Sequence, residues 1–159
     1  MGDWNYAEWA EKAGLENLKG RLATGDVLLA QANTLLSILL VGLGGGLAWV
    51  VRMLEAGALA ALGKGMVVVT AWLAWVAVVL VLRCIATRTT QVAYNEPANL
   101  YQPSLGLTEA EVRAFEMENV QQRINATKRR NREVACWLDR CRYAAISTPV
   151  WFAVTLWVC

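Results

Sequence analysis

Histidine is absent from all 159 residues. That removes His-dependent zinc sites, Ser–His and Cys–His nucleophile pairs and histidine pH switching. Cysteine is scarce as well. Cys84, Cys136, Cys141 and Cys159 include no pair at the close CxxC spacing of a zinc knuckle or a redox site. Cys136 and Cys141, five apart, would point in different directions on one helix, and all four read as free, reduced thiols. There is no glycine-rich phosphate loop, no nucleophile elbow and no carboxylate pair inside an apolar run. The sequence GLGGG at 42–46 falls in the middle of a long apolar helix, where it cannot cradle a phosphate. The chain therefore reads as a non-enzyme with no cofactor and no metal site.

Charge is missing from two long stretches, and this absence defines the molecule. Residues 27–51 are apolar apart from Gln31, Asn33, Thr34 and Ser37, and residues 65–82 are interrupted only by Thr70. As helices rising about 1.5 Å per residue they reach roughly 37 Å and 27 Å, against about 30 Å for a hydrocarbon core. Both are too long and too uniformly apolar for an ordinary buried helix. With 57% hydrophobic residues in a short chain, the expectation is an all-α integral membrane protein: a two-span helical hairpin, a cytoplasmic helical segment and a third C-terminal membrane helix.

The N-terminal residues 1–26 mix charge and aromatics, with Leu15, Leu18 and Leu22 at helical spacing. Acidic residues stand where a secretory signal carries its basic region, so this reads as an amphipathic interfacial segment with tryptophans at headgroup depth. Gly14, Gly20 and Gly25 argue against one unbroken helix there. Residues 27–82 form the hairpin. In its first helix Ala30, Asn33, Thr34, Ser37, Val41, Gly44 and Ala48 fall on one stripe at 100° per residue. Small residues seven apart let helices approach closely, and Asn or Ser can hydrogen-bond across the contact. Ala30, Asn33, Thr34, Ser37, Gly44 and Ala48 are therefore the candidate oligomer or pore seam, with packing against the second helix of the same chain as the competing use. Gly42-x-x-x-Gly46 offers a further close approach on another face. Trp72 and Trp75, in the middle of the second run, are placed for packing into a neighbour rather than for anchoring.

Residues 83–142 turn polar. Pro97, Pro103 and Gly106 mark a loop over 95–107, and Thr108 with Glu111 opens a helix through a capping box. The helix is acidic at first (Glu109, Glu111, Glu116, Glu118) and then basic (Lys128, Arg129, Arg130, Arg132, Arg140, Arg142). The acidic half has no metal-ligand pattern. Lys128, Arg129, Arg130 and Arg132 are the candidate site for a phosphate-bearing ligand or a cytoplasmic protein partner, with anionic headgroups as the plainer contact. Nucleic acid is disfavoured, since no aromatic residues interleave the basic run. Residues 143–159 form a third apolar run, short for a span and containing Pro149, with half-insertion as the alternative. Ten of the fifteen basic residues fall between 83 and 142, and only Arg52 and Lys64 lie between the first two runs. The positive-inside rule then puts the N-terminus and the charged helix in the cytoplasm.

The stretches LATGDVLLAQANTLLSILL, NEPANLY and ENVQQRINATKRRNREVACWLDRCRY give the chain a layout that resembles the small transmembrane effectors of bacterial anti-phage systems. These are the Pycsar transmembrane effectors and the SLATT-type membrane effectors. The resemblance implies a homo-oligomer in the bacterial inner membrane that disrupts the membrane once triggered, with a cyclic nucleotide as the trigger in the Pycsar members. Beside this pore-like effector stands a second reading, a non-conducting membrane scaffold or sensor subunit that recruits a cytoplasmic partner through the charged helix.

Overall fold

The computed structural model describes residues 6–56, 61–86, 106 and 108–158. Every regular element among them is helical: α1 (Tyr6–Glu55), α2 (Ala61–Leu80), a π-helical turn (Val81–Ile85), α3 (Glu109–Ile146) and α4 (Thr148–Val158). Two helices are long and apolar enough to cross a membrane, α1 and the stretch Gly63–Ile85. The expected loop over 95–107 falls, apart from Gly106, outside the described residues.

The chain divides into two compact units, Met1–Val27 with Arg88–Arg132, and Leu28–Thr87 with Glu133–Cys159. In the first unit, α1 and α3 run parallel, with Gly14 facing Val120 and Gly25 facing Asn131. The Leu15, Leu18, Leu22 stripe packs on Val120 and Ile124, and Leu18 is fully buried. This contact explains a departure from the sequence reading. α1 is unbroken through Gly14, Gly20 and Gly25. Each glycine costs about 1 kcal/mol of helix propensity, and the cost is offset by full burial of Leu18, worth about 1.5–3 kcal/mol, together with partial burial of Leu15 and Leu22 against α3.

Asn131 fastens the same pair of helices. Its Nδ2 donates to the Arg21 carbonyl at 2.7 Å, and a β-carbon on Gly25 would stand 3.2 Å from its Oδ1. At the start of α3 the expected capping box is present. The Thr108 N–H and hydroxyl both donate to Glu111 Oε2, at 2.8 and 2.7 Å, and the Glu111 N–H donates back to Thr108 Oγ1 at 3.4 Å. The hydrogen bonds from Thr108 hold the Glu111 carboxyl below its ordinary value.

The second unit is a bundle whose core joins Ala32 and Leu39 of α1, Val76, Ala77 and Leu80 of α2, and Val134, Leu138 and Cys141 of α3. α2 runs antiparallel to α1, with Gly42 facing Leu73 and Gly46 facing Thr70. It also runs antiparallel to α3 and α4. Cys84 Sγ reaches the Val134 carbonyl at 3.8 Å, and Gly65 lies against Phe152 and Thr155. α3 stops at Ile146 because Pro149 has no N–H to continue the ladder, and Pro149 falls in the first turn of α4, where none is needed. The break leaves the Ala144 carbonyl open. Trp72 Nε1 fills it at 3.0 Å and the Ser147 hydroxyl at 2.8 Å. Trp72 also stacks at 5.4 Å on Trp151, so it packs into a neighbour as the sequence implies. Trp75 does not, and is 63% exposed.

Candidate assembly face and charged helix

Within the apolar runs of α1 and α2, the hydroxyls of Thr34, Ser37 and Thr70 are satisfied by their own backbone. Thr34 donates to the Ala30 carbonyl and Ser37 to the Asn33 carbonyl, both at 3.0 Å, and Thr70 donates to the Met66 carbonyl at 2.8 Å. A hydroxyl bonded four residues back leaves no orphan donor and is tolerated in an apolar setting. The Asn33 carboxamide has no such recourse and has no hydrogen-bond partner among the described residues.

The structure separates the two close-approach elements of α1. Gly42 and Gly46 face α2, and Gly46 is buried there. The stripe of Ala30, Asn33, Thr34, Ser37, Val41, Gly44 and Ala48 points the other way and is exposed throughout, Val41 by 77%. A β-carbon on Gly44 would meet nothing within 4 Å. Packing against α2, the competing use of the stripe, is therefore taken by the opposite face.

The basic run on α3 does not converge on one point. Successive residues turn by 100°, so Lys128 and Arg132 share one side while Arg129 points away from the core, and all three are exposed. Arg130 is half-buried. Lys128, Arg130 and Arg132 have no carboxylate partner among the described residues. The exception in this run is Asn131, which turns inward to Arg21. A sequence scan for charge passes over it, although a lone amide inside a basic run is the signal that could have found it.

Further along α3, Arg142 is engaged by Asp139 at 3.1 Å and by Gln31 of α1 at 2.9 Å. Arg83 of the π turn and Arg140 both lie over the Trp137 ring; helical spacing pairs Arg140 with Trp137, but neither periodicity nor charge counting reveals the approach of Arg83. Cys84, Cys136 and Cys141 form no disulfide among the described residues. Among the described residues no three His, Cys, Asp or Glu side chains gather as a metal site would require. Comparison with protein-family models, with curated proteins and with solved structures finds no match.

Proposed function

We propose that the chain is a multi-pass protein of the bacterial inner membrane that self-associates along the outward face of α1 and opens a pore or channel-like path when triggered. Its role is that of an anti-phage effector, as the resemblance to the Pycsar and SLATT-type effectors implies, and no enzymatic activity is assigned to it. The observation that carries the reading is the uncovered face with Asn33, Thr34, Ser37 and Gly44, opposite the face that α2 covers. An unpartnered carboxamide in hydrocarbon is unfavourable, and either a second copy or a water path relieves it. The small residues beside it allow the backbones to approach closely.

The parallel course of α1 and α3 in the first unit supports placing the N-terminus and the charged helix on one side, the cytoplasmic side by the count of basic residues. Contact between α4 and α2 supports a third crossing over residues 143–158. Purified protein in dye-loaded vesicles tests the function. The pore reading expects leakage, spontaneous or on addition of a cyclic nucleotide, and loss of it when Ser37 and Gly44 are both replaced by Leu. Vesicles that stay tight under every condition overturn it. They leave the scaffold reading, which Lys128, Arg130 and Arg132 on α3, with no carboxylate partner among the described residues, favour.

A further inference from the structure

Arg83 and Arg140 are held around a single indole. Their guanidinium carbons lie 4.9 and 4.8 Å from the centre of the Trp137 ring. Stacking on the ring fixes each guanidinium and leaves its N–H fork free to bind an anion. Neither arginine has a carboxylate partner among the described residues, whereas Arg142, two positions on, is taken up by Asp139. Two like charges gathered without a counter-ion leave a strong demand for one negative group.

An apolar groove of about 410 Å³ leads away from this pair, walled by Trp72, Trp75, Val76, Val79 and Leu82. Trp72 is eleven positions before Arg83, roughly 16 Å along the helix, or about half of a hydrocarbon core. The exposed ring of Trp75 has no covering neighbour among the described residues, and it lies within the groove. One end of the site thus requires an anion with several acceptor oxygens. The rest requires a long apolar tail that reaches toward the bilayer centre.

We propose that this groove binds one anionic phospholipid, its phosphate on Arg83 and Arg140 and an acyl chain along Trp75 and Val79. The site rests on the reading of the chain as a membrane protein. A free phosphate compound satisfies the arginines but leaves the apolar walls uncovered. A zwitterionic lipid covers the walls but brings its own cation to a site that already holds two. The anionic lipid satisfies both ends, and basic pockets between membrane helices take such headgroups.

The test is native mass spectrometry of the full chain in mild detergent, titrated with phosphatidylglycerol, with phosphatidylcholine of the same acyl chains, and with glycerol phosphate. Phosphatidylglycerol is expected to bind at least about tenfold more tightly than phosphatidylcholine, with glycerol phosphate not retained. Replacing Arg83 and Arg140 together by Gln should abolish the preference, the double Lys variant should keep much of it, and Arg142→Gln should leave it unchanged. Trp75→Ala should weaken both lipids. Equal affinity for the two lipids, or a preference that survives the double Gln variant, overturns the site. Glycerol phosphate binding as tightly as the lipid reassigns the arginines to a soluble ligand and overturns it as well. Carbonate extraction of the native membranes reports the parent reading separately. Released protein overturns that reading and the lipid site with it, while retained protein with no lipid preference overturns the lipid site alone.

Discussion

Gly46 of α1 lies so close to Thr70 of α2 that a β-carbon on the glycine would stand 2.5 Å from the threonine hydroxyl. The hydroxyl is fixed in place by its bond to the Met66 carbonyl, so it has little room to give. Gly46→Ala should therefore push the two helices apart and destabilise the hairpin by about 1–3 kcal/mol, the usual cost of overpacking. Thr70→Ala in the same chain removes the colliding oxygen and should restore most of the loss. Thermal unfolding in detergent across the four-member cycle measures the coupling. Additive effects of the two substitutions would mean that the close approach is not the source of the cost.

Orientation is testable at two described positions. Lys64 is exposed at the start of α2, and Asn125 is exposed on α3. In a background with the native cysteines replaced, Lys64→Cys should react with an impermeant thiol reagent from outside the cell and Asn125→Cys only after permeabilisation. The reverse pattern inverts the topology, and a cytoplasmic trigger acting on α3 falls with it.

The cap on α3 should respond to acid. Glu111 has its folded-state value held below the ordinary carboxyl value by the hydrogen bonds from Thr108. The stabilisation is thus fully present above the unfolded value and is lost as pH falls through the lower folded one. Carbon chemical shifts of the first turn of α3, followed from pH 6 to pH 3, should report fraying only at the acid end. Thr108→Ala should fray the turn at pH 6 already and flatten the dependence. A wild-type profile that does not change with pH would remove the cap from any role in starting the helix.

How much of this was legible in the sequence follows from the range of the interactions. The cap uses groups three residues apart, and the uncharged runs answer to bilayer thickness, so both can be read from short windows. The continuity of α1 through Gly14, Gly20 and Gly25 depends on Val120, Ile124 and Asn131, about a hundred positions away, and local propensity points the other way. The stripe and the Gly42–Gly46 pair look equally suited to a neighbouring helix. Only the position of Thr70 and Leu73 decides which one α2 takes. Arg140 shares a face with Trp137 three residues before it, but the arrival of Arg83 from the π turn has no local signature.

The basic run should matter beyond topology. Replacing Lys128, Arg129, Arg130 and Arg132 by Gln leaves Arg83, Arg88, Arg113, Arg123, Arg140 and Arg142 on the same segment to hold orientation. Insertion should be normal while triggering, or capture of a cytoplasmic partner, is lost. Because the four side chains fan around α3 rather than converge, single substitutions should each have a partial effect. Full activity of the quadruple variant at physiological salt would return these residues to headgroup contact.

Assembly is the prediction on which the pore reading depends most. Two or three membrane helices in one chain cannot enclose a water path, so any conduction requires further copies. Interhelical hydrogen bonds in membranes average only about 0.6 kcal/mol, so Asn33 alone does not hold subunits together. Thr34 and Ser37 already bond to their own backbone. Close packing along Ala30, Ser37, Gly44 and Ala48 then has to supply most of the association. Ser37→Leu with Gly44→Leu places bulk on the exposed face, and a β-carbon at Gly44 meets nothing within 4 Å among the described residues, so the hairpin should insert and keep its wild-type melting behaviour. Its subunits should separate. Cross-linking in native membranes decides the matter, with Gly46→Ala as the contrast that weakens the fold. A wild type that runs as a monomer, or a double variant that keeps the wild-type oligomer, would leave this face to lipid and remove the physical support for a pore.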